Sequence, residues 1–164
     1  MGRGIAVTRV VVGAVSMLML ASVARAECDS SQTSKPSSSR YVVQGGSVYD
    51  KKTDLTWMRC SQGQKWKDDL GCVGVAEKLT KAKADRGFAG GWRVPTVDEL
   101  KTIVAKNCKN PAIDEELFPD TPTEWYRTST MDGSRCWTVN FSDGRADNYG
   151  CASGYAVRLV RSGR

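Results

Sequence analysis

Six cysteines and no histidine set the limits on the chemistry of this sequence. An even number of cysteines in a small domain is typical of a disulfide framework made in an oxidising compartment. Short separations along the chain favour two of the pairs and elimination gives the third: Cys60–Cys72, Cys136–Cys151 and Cys28–Cys108. A zinc site is not expected, because the chain has neither a C-x-x-C spacing nor a histidine. We therefore expect three disulfides, no metal and no other cofactor.

The absence of histidine also removes the Ser-His-Asp, Cys-His and H-E-x-x-H templates of many hydrolases. Catalysis by a pair of carboxylates needs no histidine, and Glu115 with Glu116 is the available candidate. Because these adjacent residues lie in a proline-bounded stretch, turn formation and solvation explain them better than opposed acid and base roles. A thiol-dependent enzyme would need a reactive free cysteine. The sequence predicts a protein that is not an enzyme.

Lysines and tryptophans are the remaining groups that could recognise a ligand. Clustered cations attract an anionic glycan, and an exposed tryptophan can stack on a sugar ring. The competing interpretation is a solvated helix surface, because acidic residues interrupt the run of cations. The candidate ligand-binding residues are Lys65, Trp66, Lys67, Lys78, Lys81 and Arg86. Further candidates are Lys83, Lys101, Lys106, Lys109 and Trp125.

The N-terminal segment has the organisation of a secretion signal. Arg3 and Arg9 come before an apolar run from Val10 to about Ala21, and Ala24-Arg25-Ala26 is a pattern that signal peptidases accept. The run is shorter than the roughly 20 residues that cross a bilayer, so no membrane anchor is expected after cleavage. Loss of residues 1–26, with three arginines and no acid, lowers the net charge from +6 to about +3. We expect a periplasmic or secreted protein with no nucleic-acid partner.

The chain after the signal divides into a linker and one domain. Residues 27–40 are rich in serine and contain no apolar run, which predicts a linker. The folded domain is expected over residues 41–164. Alternating apolar residues predict strands over residues 41–43, 47–49, 55–58, 125–129, 136–141, 146–149 and 155–160. Because the strands and helices occur in separate runs, the expected fold class is α+β.

Two helices are predicted between the strands. Helical spacing favours the first over residues 74–86, and its expected buried face consists of Val75, Leu79 and Ala82. Thr96 and Glu99 have the spacing of a capping box and begin a second helix over residues 97–105. Its expected buried residues are Leu100, Ile103 and Val104. Residues 106–124 contain three prolines and are predicted to form a long ordered loop.

An ordered set of motifs covers about residues 41–161. They are DLTWMRC with QGQ and Trp66, GWRVPTVDEL, NPAID with Phe118-Pro119, and VNF through VRLVR. In this set the chain resembles the Lcl C-terminal domain family, named after a bacterial collagen-like adhesin. Where many relatives have Trp-Ser-Ser, this chain has Arg127-Thr128-Ser129, so loss of an aromatic packing position is expected.

The resemblance implies a disulfide-stabilised C-type-lectin-like fold, similar also to the formylglycine-generating enzymes: a twisted antiparallel sheet, two helices and a long loop region. The adhesin that names the family is associated with sulfated glycosaminoglycans and with trimers, but this chain has no collagen-like Gly-x-y segment. Our hypothesis is a non-catalytic, exported, adhesin-like binding module for a carbohydrate or a polyanionic, glycosaminoglycan-like surface component. The alternative is a structural or assembly protein of the envelope that binds another protein. A lectin-fold enzyme is the third hypothesis.

Overall fold

The structure is a computed structural model that describes Met1, residues 26–29 and residues 39–164. The predicted signal peptide and most of the predicted linker lie outside the described residues, and both stay predictions. In the part that is described, no helix is long and apolar enough to cross a membrane.

The described residues form short strands, joined by turns, and two short helices. The strands are β1 (Glu27–Cys28), β2 (Tyr41–Gln44), β3 (Ser47–Asp50), β4 (Leu55–Met58), β5 (Lys65–Lys67), β6 (Gly71–Val73), β7 (Cys108–Lys109), β8 (Trp125–Asp132), β9 (Arg135–Asn140), β10 (Ala146–Gly150) and β11 (Val160–Ser162). The helices are α1 (Lys81–Ala84) and α2 (Val97–Lys101). The fold class is α+β, as the order of the elements predicted.

Two antiparallel sheets form most of the structure. The first has the strand order β11-β4-β3-β2 and the second has the order β10-β9-β8, while β1–β7 and β5–β6 are separate two-stranded ribbons. The turn from β2 to β3 places Gly45 at φ +53°, a conformation that glycine adopts without strain. The last strand, β11, pairs with β4, so residues from both ends of the domain meet in one sheet.

Two hydrophobic clusters hold these elements together. The larger draws on both sheets and α2, and its fully buried members are Val48, Trp57, Leu100, Ile113, Tyr126, Val139, Phe141, Ala156 and Val160. The smaller consists of Leu79, Ala84, Val157 and Leu159, with Met58, Phe88, Trp92 and Val94 packed against it. Each large apolar side chain that is fully buried stabilises the fold by about 2 kcal/mol.

The prediction of a helix over residues 74–86 is wrong in its extent, since only Lys81–Ala84 is helical. The backbone before it bonds to distant segments instead, with Glu77 N–H donating to Gln62 O at 2.7 Å and Leu79 N–H to Tyr155 O at 2.8 Å. Of the residues expected on the buried face, Val75 is 85% exposed and Ala82 is also exposed, while Leu79 is buried. Long-range hydrogen bonds therefore override the local helical spacing.

The second helix begins as predicted and ends earlier. Thr96 and Glu99 form the expected capping box, but α2 ends at Lys101 instead of residue 105. The helix stops because the backbone turns toward the loop, where Ala105 N–H donates to Ala112 O at 3.0 Å. The strand predicted over residues 155–160 is likewise reduced, with β11 starting only at Val160. The β5–β6 ribbon has no counterpart among the predicted strands.

All six cysteines are in disulfides, in the three pairs that the sequence favoured. Cys60–Cys72 fixes the β5–β6 ribbon to the end of β4. Cys136–Cys151 joins β9 to the residue after β10, and Cys28–Cys108 joins β1 to β7. Three disulfides are typical of an oxidising environment, either extracellular or periplasmic.

Two arginines lie in the interior without a carboxylate partner among the described residues. Arg158 is fully buried and donates to Met58 O, Arg59 O and Thr121 Oγ1. Arg127, at the position where an aromatic residue was expected to be lost, is also buried. Burial lowers the pKa of both guanidinium groups. Backbone carbonyls and aromatic rings, rather than ion pairs, stabilise these charges.

Candidate functional site

An open groove of about 550 Å³ lies between the end of α2 and the turn from β9 to β10. The residues that line it are Asp98, Lys101, Thr102, Val104, Lys106, Asp143, Gly144 and Arg145. Three of these side chains are cationic and two are anionic. The groove therefore brings together two of the further lysine candidates, Lys101 and Lys106, with an arginine that the sequence did not single out.

A tight contact between two loops forms the wall of the groove. Gly144 lies at φ +78° in the turn before Arg145, and a Cβ atom on this residue would be 2.5 Å from Val104 Cγ1. The turn is closed by Gly144 N–H donating to Asn140 O at 2.7 Å and by Asn140 N–H donating to Arg145 O at 2.8 Å. Only glycine fits this close approach, which positions Arg145 beside the end of α2.

Two cations of the groove lie over tryptophan rings. Lys101 Nζ is 5.9 Å from the centroid of Trp137, and the guanidinium carbon of Arg145 is 5.2 Å from the centroid of Trp125. Such cation–π contacts contribute about 0.5–1 kcal/mol at exposed sites and restrict where the charge can move. The Lys101 and Arg145 side chains are still 46% and 64% exposed, so a ligand can reach both charges.

The carboxylates of the groove hold these cations only weakly. Asp98 Oδ1 lies 4.0 Å from Lys101 Nζ, and Asp143 Oδ2 lies 3.5 Å from Arg145 Nε. Exposed pairs at these distances contribute little to stability and exchange readily with water. Since the three cations outnumber the two acids, the groove can accept an anionic group such as a sulfate or a carboxylate. The described residues contain no cluster of three metal-ligating side chains.

The predicted residues Lys65, Trp66 and Lys67 form strand β5. Both lysines are exposed, and the tryptophan ring is half-buried. The Arg59 guanidinium lies over this ring at 4.0 Å, and the indole N–H donates to Asp68 Oδ1 at 2.8 Å. A sugar could stack only on ring surface that Arg59 leaves uncovered.

The other predicted residues lie at and around α1. Lys78 Nζ pairs with Glu124 Oε2 at 2.5 Å, and Lys81 Nζ pairs with Asp85 Oδ2 at 2.5 Å. Arg86 is exposed just after the helix. Two of these three cations are therefore already paired, and their role in ligand binding stays a prediction.

Sequence reasoning missed Arg145, although the signal was present. Asp143-Gly144 is a typical turn sequence, so a turn directly before Arg145 could be predicted. The turn alone does not reveal which loop it contacts. Only the Val104–Gly144 contact brings Arg145 to the two lysines.

The geometry defines a small, disulfide-stabilised α+β domain with an accessible cationic groove. The chain belongs to the Lcl C-terminal domain family, whose model matches residues 46–161, and the predicted membership is thereby confirmed. Searches of curated proteins and of solved structures find no match.

Proposed function

We propose that this protein is an exported binding module that recognises an anionic carbohydrate through the groove. The observation that carries the proposal is the convergence of Lys101, Lys106 and Arg145 on one accessible surface, with two of them held over tryptophan rings. Cations that are already restrained lose less side-chain entropy when they bind a ligand. An arginine can also bind a sulfate or carboxylate through two parallel hydrogen bonds.

A carbohydrate is favoured over a simple anion because the groove is open and carries only a small excess of positive charge. A net excess of one cation over the acids suits repeated weak contacts along an extended ligand, rather than tight capture of a single ion. Membership of a family named after an adhesin domain supports the same function. On this proposal the protein attaches to a polyanionic, glycosaminoglycan-like surface component and catalyses no reaction.

The proposal extends to the fold and to export. A C-type-lectin-like fold is supported by the pairing of β4 with the last strand β11, the two helices and the long region between α2 and β8. Cleavage of a signal peptide near Ala26 is supported by the disulfides, which form in exported proteins. The intact mass of the purified protein tests the cleavage, because removal of residues 1–26 gives a defined decrease.

The binding proposal is tested by elution from a heparin column in a salt gradient. We expect the triple variant Lys101→Gln, Lys106→Gln, Arg145→Gln to elute at clearly lower salt than the wild type. Its matched control is Lys65→Gln, Lys67→Gln, Arg86→Gln, which removes the same number of lysines and arginines from the other candidate set. Because both variants carry the same net charge, a difference between them reports a specific surface.

The result expected is near-wild-type elution of the control. The reverse result, with only the control weakened, would assign the site to the residues around β5 and α1 and refute the groove. Equal weakening of both variants would show attraction by overall charge alone. If the wild type elutes at the same salt concentration as a neutral protein of similar size, polyanion binding is refuted altogether.

A further inference from the structure

We infer a second subsite beside the groove, formed by Trp125, Tyr149 and Tyr155, that packs against the apolar face of a sugar ring. This inference rests on the proposed function, because it assigns the ring contacts of the same anionic carbohydrate. The three residues are here named the aromatic row. Their side chains are half-buried.

The aromatic row is continuous. The ring centroids of Trp125 and Tyr149 are 5.0 Å apart in an edge-to-face arrangement, and those of Tyr149 and Tyr155 are 6.3 Å apart. Edge-to-face contacts between aromatic rings are favourable beyond the area that they bury, so they help to fix the arrangement of these rings. The row is therefore an ordered apolar surface with part of each side chain in contact with solvent.

The sheet beneath the row fixes its position. Asp147 of β10 pairs with Thr138 of β9, and Thr138 pairs in turn with Arg127 of β8. Trp125 lies two positions before Arg127 on β8, and Tyr149 lies two positions after Asp147 on β10. Side chains two positions apart on a strand share one face of the sheet. Thr138 is fully buried, and Arg127 lies 5.2 Å from the Tyr155 ring. Strand alternation thus presents the row on a rigid support.

Segment 151–155 completes the support. The Arg127 guanidinium donates to Ser153 O at 2.5 Å and to Leu79 O at 2.9 Å, while Tyr155 N–H donates to Leu79 O at 3.1 Å. The Cys136–Cys151 disulfide anchors the start of this segment to β9. Tyr155 is consequently held in place by its own backbone and not only by its ring contacts.

Polar atoms lie at the rim of the row. The Tyr149 hydroxyl donates to Asp147 Oδ2 at 3.3 Å, and Asp147 is exposed. A sugar presents an apolar C–H face together with hydroxyl groups at its edge, so it needs both an aromatic surface and nearby acceptors. Among the described residues, Asp147 accepts only from the Tyr149 hydroxyl and the Asn148 N–H, so its carboxylate can still accept from a sugar hydroxyl, a donor that a lipid chain or an apolar side chain lacks. This combination commits the row to a carbohydrate.

Arg145 connects the row to the groove. It lines the groove and also lies over part of the Trp125 ring, so a sugar packs on the ring surface that Arg145 leaves uncovered. One ligand can therefore place a charged group against the three cations and the next sugar ring on the aromatic row. The row would bind without releasing counterions, whereas each ionic contact in the groove makes the affinity salt-dependent.

The test is calorimetric titration of a heparin tetrasaccharide at several salt concentrations. We expect Tyr149→Ala to weaken binding about fivefold, the effect of losing one aromatic contact, with an unchanged salt dependence. Tyr49→Ala is the matched control, because Tyr49 also donates its hydroxyl to an aspartate, Asp54, at 2.8 Å but lies on β3. Tyr149→Phe keeps the ring and should retain most of the affinity.

The outcomes separate this inference from the proposed function. If the wild type binds and Tyr149→Ala binds equally well, the row is refuted while the groove stands. If Tyr149→Ala and Tyr49→Ala weaken binding equally, the loss is not specific to the row and the inference fails. If the wild type binds no tetrasaccharide, the proposed function fails and the row fails with it. Thermal unfolding of each variant confirms that the protein measured is folded. If Tyr149→Ala does not fold, Tyr149→Leu carries the test, because it keeps apolar bulk but removes the aromatic ring and should weaken binding in the same way.

Discussion

Two regions of this molecule place an arginine over a tryptophan, and they use the pair differently. On the β5–β6 ribbon, Arg59 lies 4.0 Å from the Trp66 ring and donates to Leu117 O at 2.9 Å, Glu116 O at 2.8 Å and Gly45 O at 3.2 Å. Its donors are largely committed to backbone carbonyls. The ring and the guanidinium together fasten the ribbon to two other segments.

In the groove the arginine is free to bind. Arg145 lies over Trp125 at 5.2 Å, and it pairs with Asp143 at 3.5 Å. Burial lowers the pKa of Arg59, whereas Arg145 stays mostly in solvent. A cation–tryptophan pair therefore indicates a binding site only when the donors of the cation are not already used by the backbone.

The largest expected effect is on the ribbon, through its disulfide. Replacing both partners, Cys60→Ser with Cys72→Ser, should lower the free energy of unfolding by about 3 kcal/mol, because the bond closes a loop in the unfolded chain and so lowers its entropy. Urea denaturation measures this loss. The groove lies outside the closed loop, so the folded variant should elute from heparin like the wild type. A stability loss below about 1 kcal/mol would show that other contacts, and not the disulfide, hold the ribbon.

The second effect compares the two arginines directly. Arg59→Ala should lower the free energy of unfolding by about 2 kcal/mol, because several charge-assisted hydrogen bonds to carbonyls are lost together. Arg145→Ala should change it by less than about 0.5 kcal/mol, as expected for an exposed side chain. The salt concentration at which the protein elutes from heparin should fall more for Arg145→Ala than for Arg59→Ala. Equal stability losses in the two variants would contradict the distinction between the regions.

Local signals explain which parts of the fold could be predicted from the sequence. The capping box of Thr96 and Glu99 depends on residues three positions apart, and the turn through Gly45 and Gly46 depends on adjacent glycines. Two of the three disulfides likewise join cysteines that are near in sequence. Each signal lies within one segment, so no knowledge of distant contacts is needed.

Long-range contacts explain what could not be predicted. The segment before α1 has helical spacing, yet its amides bond to Gln62 and Tyr155, which lie in other parts of the chain. The groove depends on Gly144 meeting Val104, and the sequence gives the two loops no common signal. The candidate lysines were found by their charge, whereas Arg145 became a candidate only through this contact.

The smallest expected effect is a difference between the groove and the β5–β6 ribbon in their sensitivity to acid. One lining residue of the groove, Thr102, is connected to a carboxylate. Asp50 accepts from Arg40 at 2.6 Å, and Arg40 also donates to Thr102 O. Burial alone would raise the pKa of Asp50, but hydrogen bonds from Arg40, Thr53 and Lys52 lower it below its usual value. The β5–β6 ribbon is held mainly by the Cys60–Cys72 disulfide and by hydrogen bonds from Arg59 to backbone carbonyls, which do not titrate. Its two carboxylate contacts, from Trp66 to Asp68 and from Cys72 to Asp120, are made by exposed aspartates.

A carboxyl whose pKa is lowered by folding stabilises the protein above its ordinary pKa, about 4, and loses this contribution as the pH falls through the lowered value. Acidification below pH about 4 should therefore weaken hydrogen-exchange protection near residue 102 before it weakens the β5–β6 ribbon.

Asp50→Asn should remove about 1 kcal/mol of stability at neutral pH, because Arg40 is partly exposed, and should reduce the acid-dependent loss. Glu99 of α2 remains in this variant, and its pKa is lowered mainly by the hydrogen bond from Arg93. The acid-dependent loss near residue 102 that Asp50→Asn retains is therefore assigned to Glu99. Simultaneous loss of hydrogen-exchange protection in both regions would mean that acid unfolds the domain as one unit. The backbone near residue 102 would then not be separately sensitive to the charge of Asp50.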